Sequence, residues 1–85
     1  MITIVFEPLN KRAAAYLYEK RIGVCTYEER DGEWAIMHTI VDPEFGGRGI
    51  ARQLVEEVLL EARRAGVKVV PVCSYAAKVM EEKGI

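Results

Sequence analysis

The segment Phe45-Gly46-Gly47-Arg48-Gly49-Ile50-Ala51 concentrates the features that an anion-binding loop needs. Three glycines in four residues permit backbone conformations closed to other residues, and they clear side chains away so that amides can approach a ligand. An extended stretch precedes the segment and a helical one follows it. The free N–H groups and the dipole of a helix start both favour anions. Arg48 and Arg52 add positive charge. Together these features suit a pyrophosphate. The plainer reading is a tight turn with a glycine-rich start, which leaves the number of glycines and arginines unexplained. Two other phosphate motifs are excluded. A G-x-G-x-x-G pattern starting at Gly47 would need glycine where Arg52 stands, and no G-x-x-x-x-G-K-[ST] string occurs.

Bulk properties bound the rest. The chain has 85 residues, about half of them hydrophobic, which allows one small domain with one core. A domain this small is marginally stable alone, so a bound ligand or a partner chain, as in a homodimer, is expected to add stability. Twelve basic and thirteen acidic residues nearly cancel, which argues against non-specific nucleic-acid binding. The apolar stretches fall far short of the roughly 20 residues of a membrane span. Met1 opens directly into Ile2-Thr3-Ile4-Val5-Phe6, without a charged leader, so a cytoplasmic location is expected. Cys25 and Cys73 lie far apart and His38 is the only histidine, which argues against a zinc site. A disulfide is disfavoured in a reducing compartment.

Periodicity predicts the elements that hold the loop. Ile2–Glu7 alternates and reads as a strand. Ala13–Glu19 is a second strand on a weaker pattern, because alanine is a poor strand former. A helix over Lys11–Tyr18 is its rival. Ile22–Glu28 and Trp34–Val41 are strands joined by an Asp31-Gly32 turn, the strongest short-range hairpin cue. Trp34–Val41 is apolar on both faces and is expected to be central. From Ala51 the apolar residues fall at 51, 54, 55, 58, 59 and 62, one face of a helix that Gly66 ends. Val67–Val72 is a short strand. Ser74 is expected to cap a last helix over Tyr75–Lys83. The fold class is α+β: a mixed, mostly antiparallel sheet of about five strands, a right-handed crossover helix and a C-terminal helix. Pro71 has no N–H for the ladder, so a cleft is expected to open beside Val41 and Val72.

The segment from His38 to Val55, with Val-Asp-Pro-Glu-Phe-Gly-Gly-Arg-Gly-Ile-Ala at its centre, resembles the coenzyme A-binding motif of the GNAT superfamily of N-acetyltransferases. That motif reads Gln/Arg-x-x-Gly-x-Gly/Ala after a strand that often ends in valine. Gly49 and Ala51 match its last two positions, and Gly46 stands where Gln or Arg is usual. His38-Thr39-x-Val41 and Pro71-Val72-Cys73-Ser74-Tyr75 further resemble a compact subfamily that pairs an HT-x-V strand with a Pro-x-Cys-x-Tyr/Phe segment. The similarity runs from about residue 12 to 84 and is strongest over 38–55 and 71–75. The end, Ala76-x-x-Val79-Met80-Glu81-x-x-Gly84-Ile85, is similar to the superfamily's Ala-x-x-Leu-Tyr-Glu-x-x-Gly-Phe.

The resemblance implies a single GNAT-like domain that binds acetyl-coenzyme A through Phe45–Arg52, with Ile40 and Val41 beside the thioester. It implies transfer of the acetyl group to the amine of a small molecule or peptide. In the compact subfamily, a cysteine at the position of Cys73 is associated with catalysis. The superfamily's usual general acid is a tyrosine, and Met80 occupies its place and cannot donate a proton. The chain also ends where other members continue into a final hairpin, which implies an incomplete acceptor pocket. A coenzyme A-binding or protein-interaction module that has lost catalysis is the alternative.

Acetyl transfer needs a neutral amine, a polarised thioester and a donor for the developing oxyanion. A backbone N–H near Ile40 or Val41 is the candidate donor. His38 is the only titratable side chain of its strand and the candidate base. Its alternation with Trp34, Ile36 and Ile40 favours a buried structural histidine instead. Thr39 reads as an ordinary strand residue. Cys73 is open to three readings: a small packing residue, the acid for the leaving thiolate, or a nucleophile that takes the acetyl group. A helix N-terminus just beyond it would favour its thiolate. Tyr75 is the alternative acid. Cys25, Tyr16, Tyr18 and Tyr27 read as sheet residues.

Overall fold

In a computed structural model describing residues 1–85, five strands form one sheet in the order β1-β2-β3-β4-β5. They are β1 Ile2–Glu7, β2 Arg12–Leu17, β3 Lys20–Arg30, β4 Glu33–Val41 and β5 Lys68–Pro71. The first four pair antiparallel with their neighbours, and β5 runs parallel to β4. Helix α1, Ile50–Ala65, crosses from β4 to β5, and α2 spans Ser74–Lys83. The mixed α+β architecture expected from the periodicity is the one observed. No helix is long and apolar enough to cross a membrane.

The weakest strand former sits inside the sheet, between two partner strands. Ala13, Ala14 and Ala15 are wholly buried, and β2 is hydrogen-bonded on both edges, to β1 and β3. Ladder bonds on two sides and small side chains on both faces override alanine's helical preference. The rival helix over this stretch does not form. The Asp31-Gly32 turn has φ of 49° and 78° at its two positions and pairs Arg30 with Glu33, as the hairpin signal predicts.

One apolar face of α1 seats Ile50, Leu54, Val55, Val58 and Ala62 on the sheet, and Ala76 and Val79 of α2 join the same core. The helix comes down on bare backbone at Gly23. A Cβ there would lie 3.2 Å from Leu54 Cδ1 and 3.1 Å from the Ile40 carbonyl oxygen, so any larger residue would press the helix and β4 apart by a few tenths of an ångström. The other end of the core is aromatic: Tyr27 stacks on Trp34 at 4.2 Å between centroids, and Phe6 stacks on both.

Strand β4 carries a bulge that its sequence does not advertise. Tyr27 faces Ile36 while Thr26 faces His38, so Met37 is an extra residue on β4. The bulge reverses which side chains face the helices. Before it, Trp34 and Ile36 point into the core; after it, Thr39 and Val41 do, and His38 and Ile40 turn to the opposite face. His38 is therefore exposed, not the buried structural residue that unbroken alternation implies. Ile40 is 60% exposed for the same reason.

Candidate active site

The loop after β4 makes a short 3₁₀ turn, Pro43–Phe45, and delivers the glycines to the start of α1. Gly49 is the residue before the first helical turn, with φ 77°, and no side chain caps the helix there. Gln53 N–H reaches back to the Gly49 carbonyl, so the N–H groups of Ile50, Ala51 and Arg52 precede the intrahelical ladder. A Cβ at Gly47 or Gly49 would meet nothing within 4 Å, so the space above these amides is open. A cavity of about 270 Å³ lies over them, walled by Val41, Phe45, Gly46, Gly47, Gly49, Ile50, Ala51 and Tyr75. Exposed donors, a helix N-terminus and open room fit a pyrophosphate.

The two arginines do not share this role equally. Arg48 lies over the Phe45 ring, 5.4 Å from its centroid, and forms no ion pair. Arg52 donates to Glu82 at 2.6 Å and lies 3.3 Å from Glu56, clamping α1 to α2. The Glu82 carboxylate holds the Arg52 guanidinium above its ordinary value, so this charge is already satisfied.

The cleft expected beside Val41 is present. Pairing of β4 with β5 ends at Ile36 and Pro71, and Val72 and Cys73 both donate their N–H to the Ile36 carbonyl before the chain turns into α2. From there to Val41 the β5 side of β4 has no strand partner. Asp42 N–H donates to the Ile22 carbonyl at 2.8 Å. Alternation then points Ile40's backbone groups at β3 and those of Thr39 and Val41 at the open side. The Val41 amide, not that of Ile40, is the one free to meet a ligand.

Cys73, not Ser74, is the residue that precedes α2. Its sulfur makes no regular cap hydrogen bond, yet three backbone N–H groups and a hydroxyl surround it. Burial pushes the thiol up, but the N–H of Ala76, the Thr39 hydroxyl and the N–H groups of Tyr75 and Thr39 outweigh it and leave the thiol below its ordinary value. Thr39, read from sequence as an ordinary strand residue, is in contact with both cysteines. Its Oγ1 donates to Cys25 Sγ at 3.6 Å and accepts from Cys73 Sγ at 3.6 Å. Burial raises the Cys25 thiol to about 11, so it keeps its proton.

Tyr75 is half-buried in the cavity wall. His38 lies on the other face of β4, away from Cys73. Met80 is 8% exposed and belongs to the packed side of α2. No group of three His, Cys, Asp or Glu side chains is placed to hold a metal ion. A larger groove, about 1000 Å³, runs between α1, β5 and α2, but neither the loop nor either cysteine lines it.

Known proteins share this fold. A structure from Elizabethkingia anophelis, a GNAT family acetyltransferase with acetyl-CoA bound, superimposes with a TM-score of 0.68 at 20% identity, over 98% of this chain and 72% of that one. A GCN5-related N-acetyltransferase from Sphaerobacter thermophilus gives 0.66 at 30% identity, over 71% of this chain and 20% of that one. A ribosomal-protein-alanine N-acetyltransferase from Brucella melitensis biovar Abortus gives 0.65 at 21% identity, over 84% and 58%. The chain thus spans less than two thirds of the length of the last two. No curated protein sequence matches it. The family model for GCN5-related N-acetyltransferases, however, matches residues 12–84 and so takes in both the loop and Cys73; the chain belongs to that family.

Proposed function

We propose that this protein is an acetyl-CoA-dependent N-acetyltransferase that moves an acetyl group to the amine of a small molecule or peptide, with Cys73 taking part. The observation that carries this reading is one continuous cleft. At one end are the free amides of the glycine loop, and at the other Tyr75, two residues beyond a thiol surrounded by donors. The bound structure from Elizabethkingia anophelis supports the choice of ligand.

Acetyl-CoA supplies the acyl group as a thioester. The amides of Ile50, Ala51 and Arg52 and the Arg48 charge hold its phosphates. The open Val41 N–H donates to the acyl oxygen as it gains charge. A thiol held below its ordinary value suits a nucleophile better than an acid. Cys73 Sγ forms the bond to the acyl carbon as the coenzyme's thiolate leaves. The amine then takes the acyl group, releases Sγ as thiolate and gives its own proton, through water, to the phenolate that Tyr75 becomes on protonating the coenzyme sulfur. Tyr75 is placed to hand a proton to the departing coenzyme sulfur. His38 serves as base only for an acceptor that enters from the opposite face of β4.

Incubation with acetyl-CoA followed by intact-protein mass measurement tests the proposal. The expected result is a mass gain of one acetyl group on Cys73 that is discharged by added amine. Acetyl-CoA binding without acetyl transfer to any amine would instead support a non-catalytic coenzyme A-binding module, the reading that Met80 in place of the family's usual tyrosine favours.

The arginines give a separate test. Arg48→Ala is expected to weaken acetyl-CoA binding about tenfold, the effect of losing one exposed charged contact. Arg52→Ala is expected to weaken it less, because Glu82 and Glu56 already engage that guanidinium. Titration calorimetry at two salt concentrations reads both, and equal losses would show that Arg52 leaves its partners for the phosphates.

A further inference from the structure

We propose that Thr39 is the positioning residue for Cys73: its hydroxyl turns between the two cysteines and holds the Cys73 sulfur in place for acetyl transfer. This rests on the role given to Cys73 above.

The geometry carries it. With Cys73 protonated, its S–H donates to Thr39 Oγ1 and the Thr39 O–H donates to Cys25 Sγ, each at 3.6 Å. A hydroxyl has one proton and rotates freely, so the chain can run the other way. When Cys73 loses its proton, the Thr39 O–H swings to the thiolate. The Cys25 S–H then donates to the oxygen it has left. The wholly buried Cys25 retains its proton throughout and is always able to do so. No atom is left without a partner in either state. The bulge at Met37 is what brings the hydroxyl to this face.

Few charges compete for the sulfur. From β3 the titratable neighbour is Cys25, and from α2 it is Tyr75. On this face β4 presents only Thr39, because His38 points away. From α1, Arg52 sits beside Tyr75 but is bound by Glu82 and Glu56.

The test is the pH profile of iodoacetamide alkylation, mapped to Cys73 by mass, in the free protein without acetyl-CoA. Thr39→Val keeps the shape of the side chain and removes the hydroxyl. It is expected to raise the alkylation midpoint by about one pH unit, the size of one hydrogen bond to a charged group. Thr39→Ser is expected to titrate like the parent. Thr39→Ala carries the test if the valine variant does not fold. With acetyl-CoA and an amine, Thr39→Val is expected to lower kcat at neutral pH several-fold and leave KM for acetyl-CoA unchanged. A parental midpoint in Thr39→Val and Thr39→Ala, or a serine variant that titrates like valine, overturns the assignment. The midpoint is read without acetyl-CoA and so stands apart from transfer. A shifted midpoint with parental turnover supports the hydroxyl's hold on the sulfur and overturns the role of Cys73 in the reaction.

Discussion

Gly49→Val is expected to abolish acetyl-CoA binding: the variant's melting temperature should not rise at ligand concentrations that saturate the parent. Two effects act together. Gly49 has φ 77°, a conformation that costs a branched residue on the order of 1–2 kcal/mol or more. The Cβ would also project into open space, where nothing lies within 4 Å, and that space is where the phosphates must approach the amides of α1. Gly32 separates the two effects. It has φ 78° and equally open surroundings, but it sits in the hairpin turn far from the loop. Gly32→Val should lose similar stability and still show the ligand-induced rise. A Gly49→Val chain that is stabilised by acetyl-CoA as the parent is would move the anion site elsewhere.

Cys73→Ala is expected to keep acetyl-CoA binding and lose at least about a hundredfold in turnover, the scale on which removal of a covalent or proton-transferring group acts. Binding survives because the phosphate amides belong to α1, whereas Cys73 precedes α2. Cys73→Ser should recover little, since a hydroxyl does not ionise in this range. The pH dependence has a definite sign. Burial pushes the Cys73 thiol up, but the hydrogen bonds around Sγ outweigh it, so the thiolate fraction rises with pH through a point below the ordinary thiol value. The acidic limb of the parent's rate profile should fall there, and the alanine variant should lack it. Parental turnover in Cys73→Ala would reduce Cys73 to a packing residue and leave Tyr75 as the group to test.

The anion loop, the hairpin at Asp31-Gly32 and the amphipathic face of α1 were legible in the sequence because each depends on residues within a few positions of one another. The crossover to a parallel strand followed from their order. What stayed hidden depends on partners far along the chain. Met37 is extra only relative to β3, and no local pattern marks it, so unbroken alternation put His38 in the core. Arg52 looks like a phosphate ligand until α2 folds back and brings Glu82 to it across 30 positions. Thr39 looks like a strand residue until Cys25 and Cys73, on two other elements, close on its hydroxyl. Pro71 was the exception among long-range features: a missing N–H is a property of the residue itself, and the end of the β4–β5 pairing could be read from it.

The extra residue at Met37 divides β4 into two stretches of opposite phase. Even-numbered positions face the helices on one side of it and odd-numbered positions on the other. Tolerance to polar substitution along the strand must therefore change phase at that point. Positions 34 and 36 resist, 38 and 40 accept, and 39 and 41 resist again for a different reason. Loss of Met37 would restore regular alternation and leave both faces as they are, because the extra residue is what shifts the phase. His38 would follow Ile36 directly and still turn outward with Ile40, and Thr39 would still face Cys25 and Cys73. A frame-preserving deletion of that codon would keep both halves of the strand in register with β3 and remove only the bulge between them.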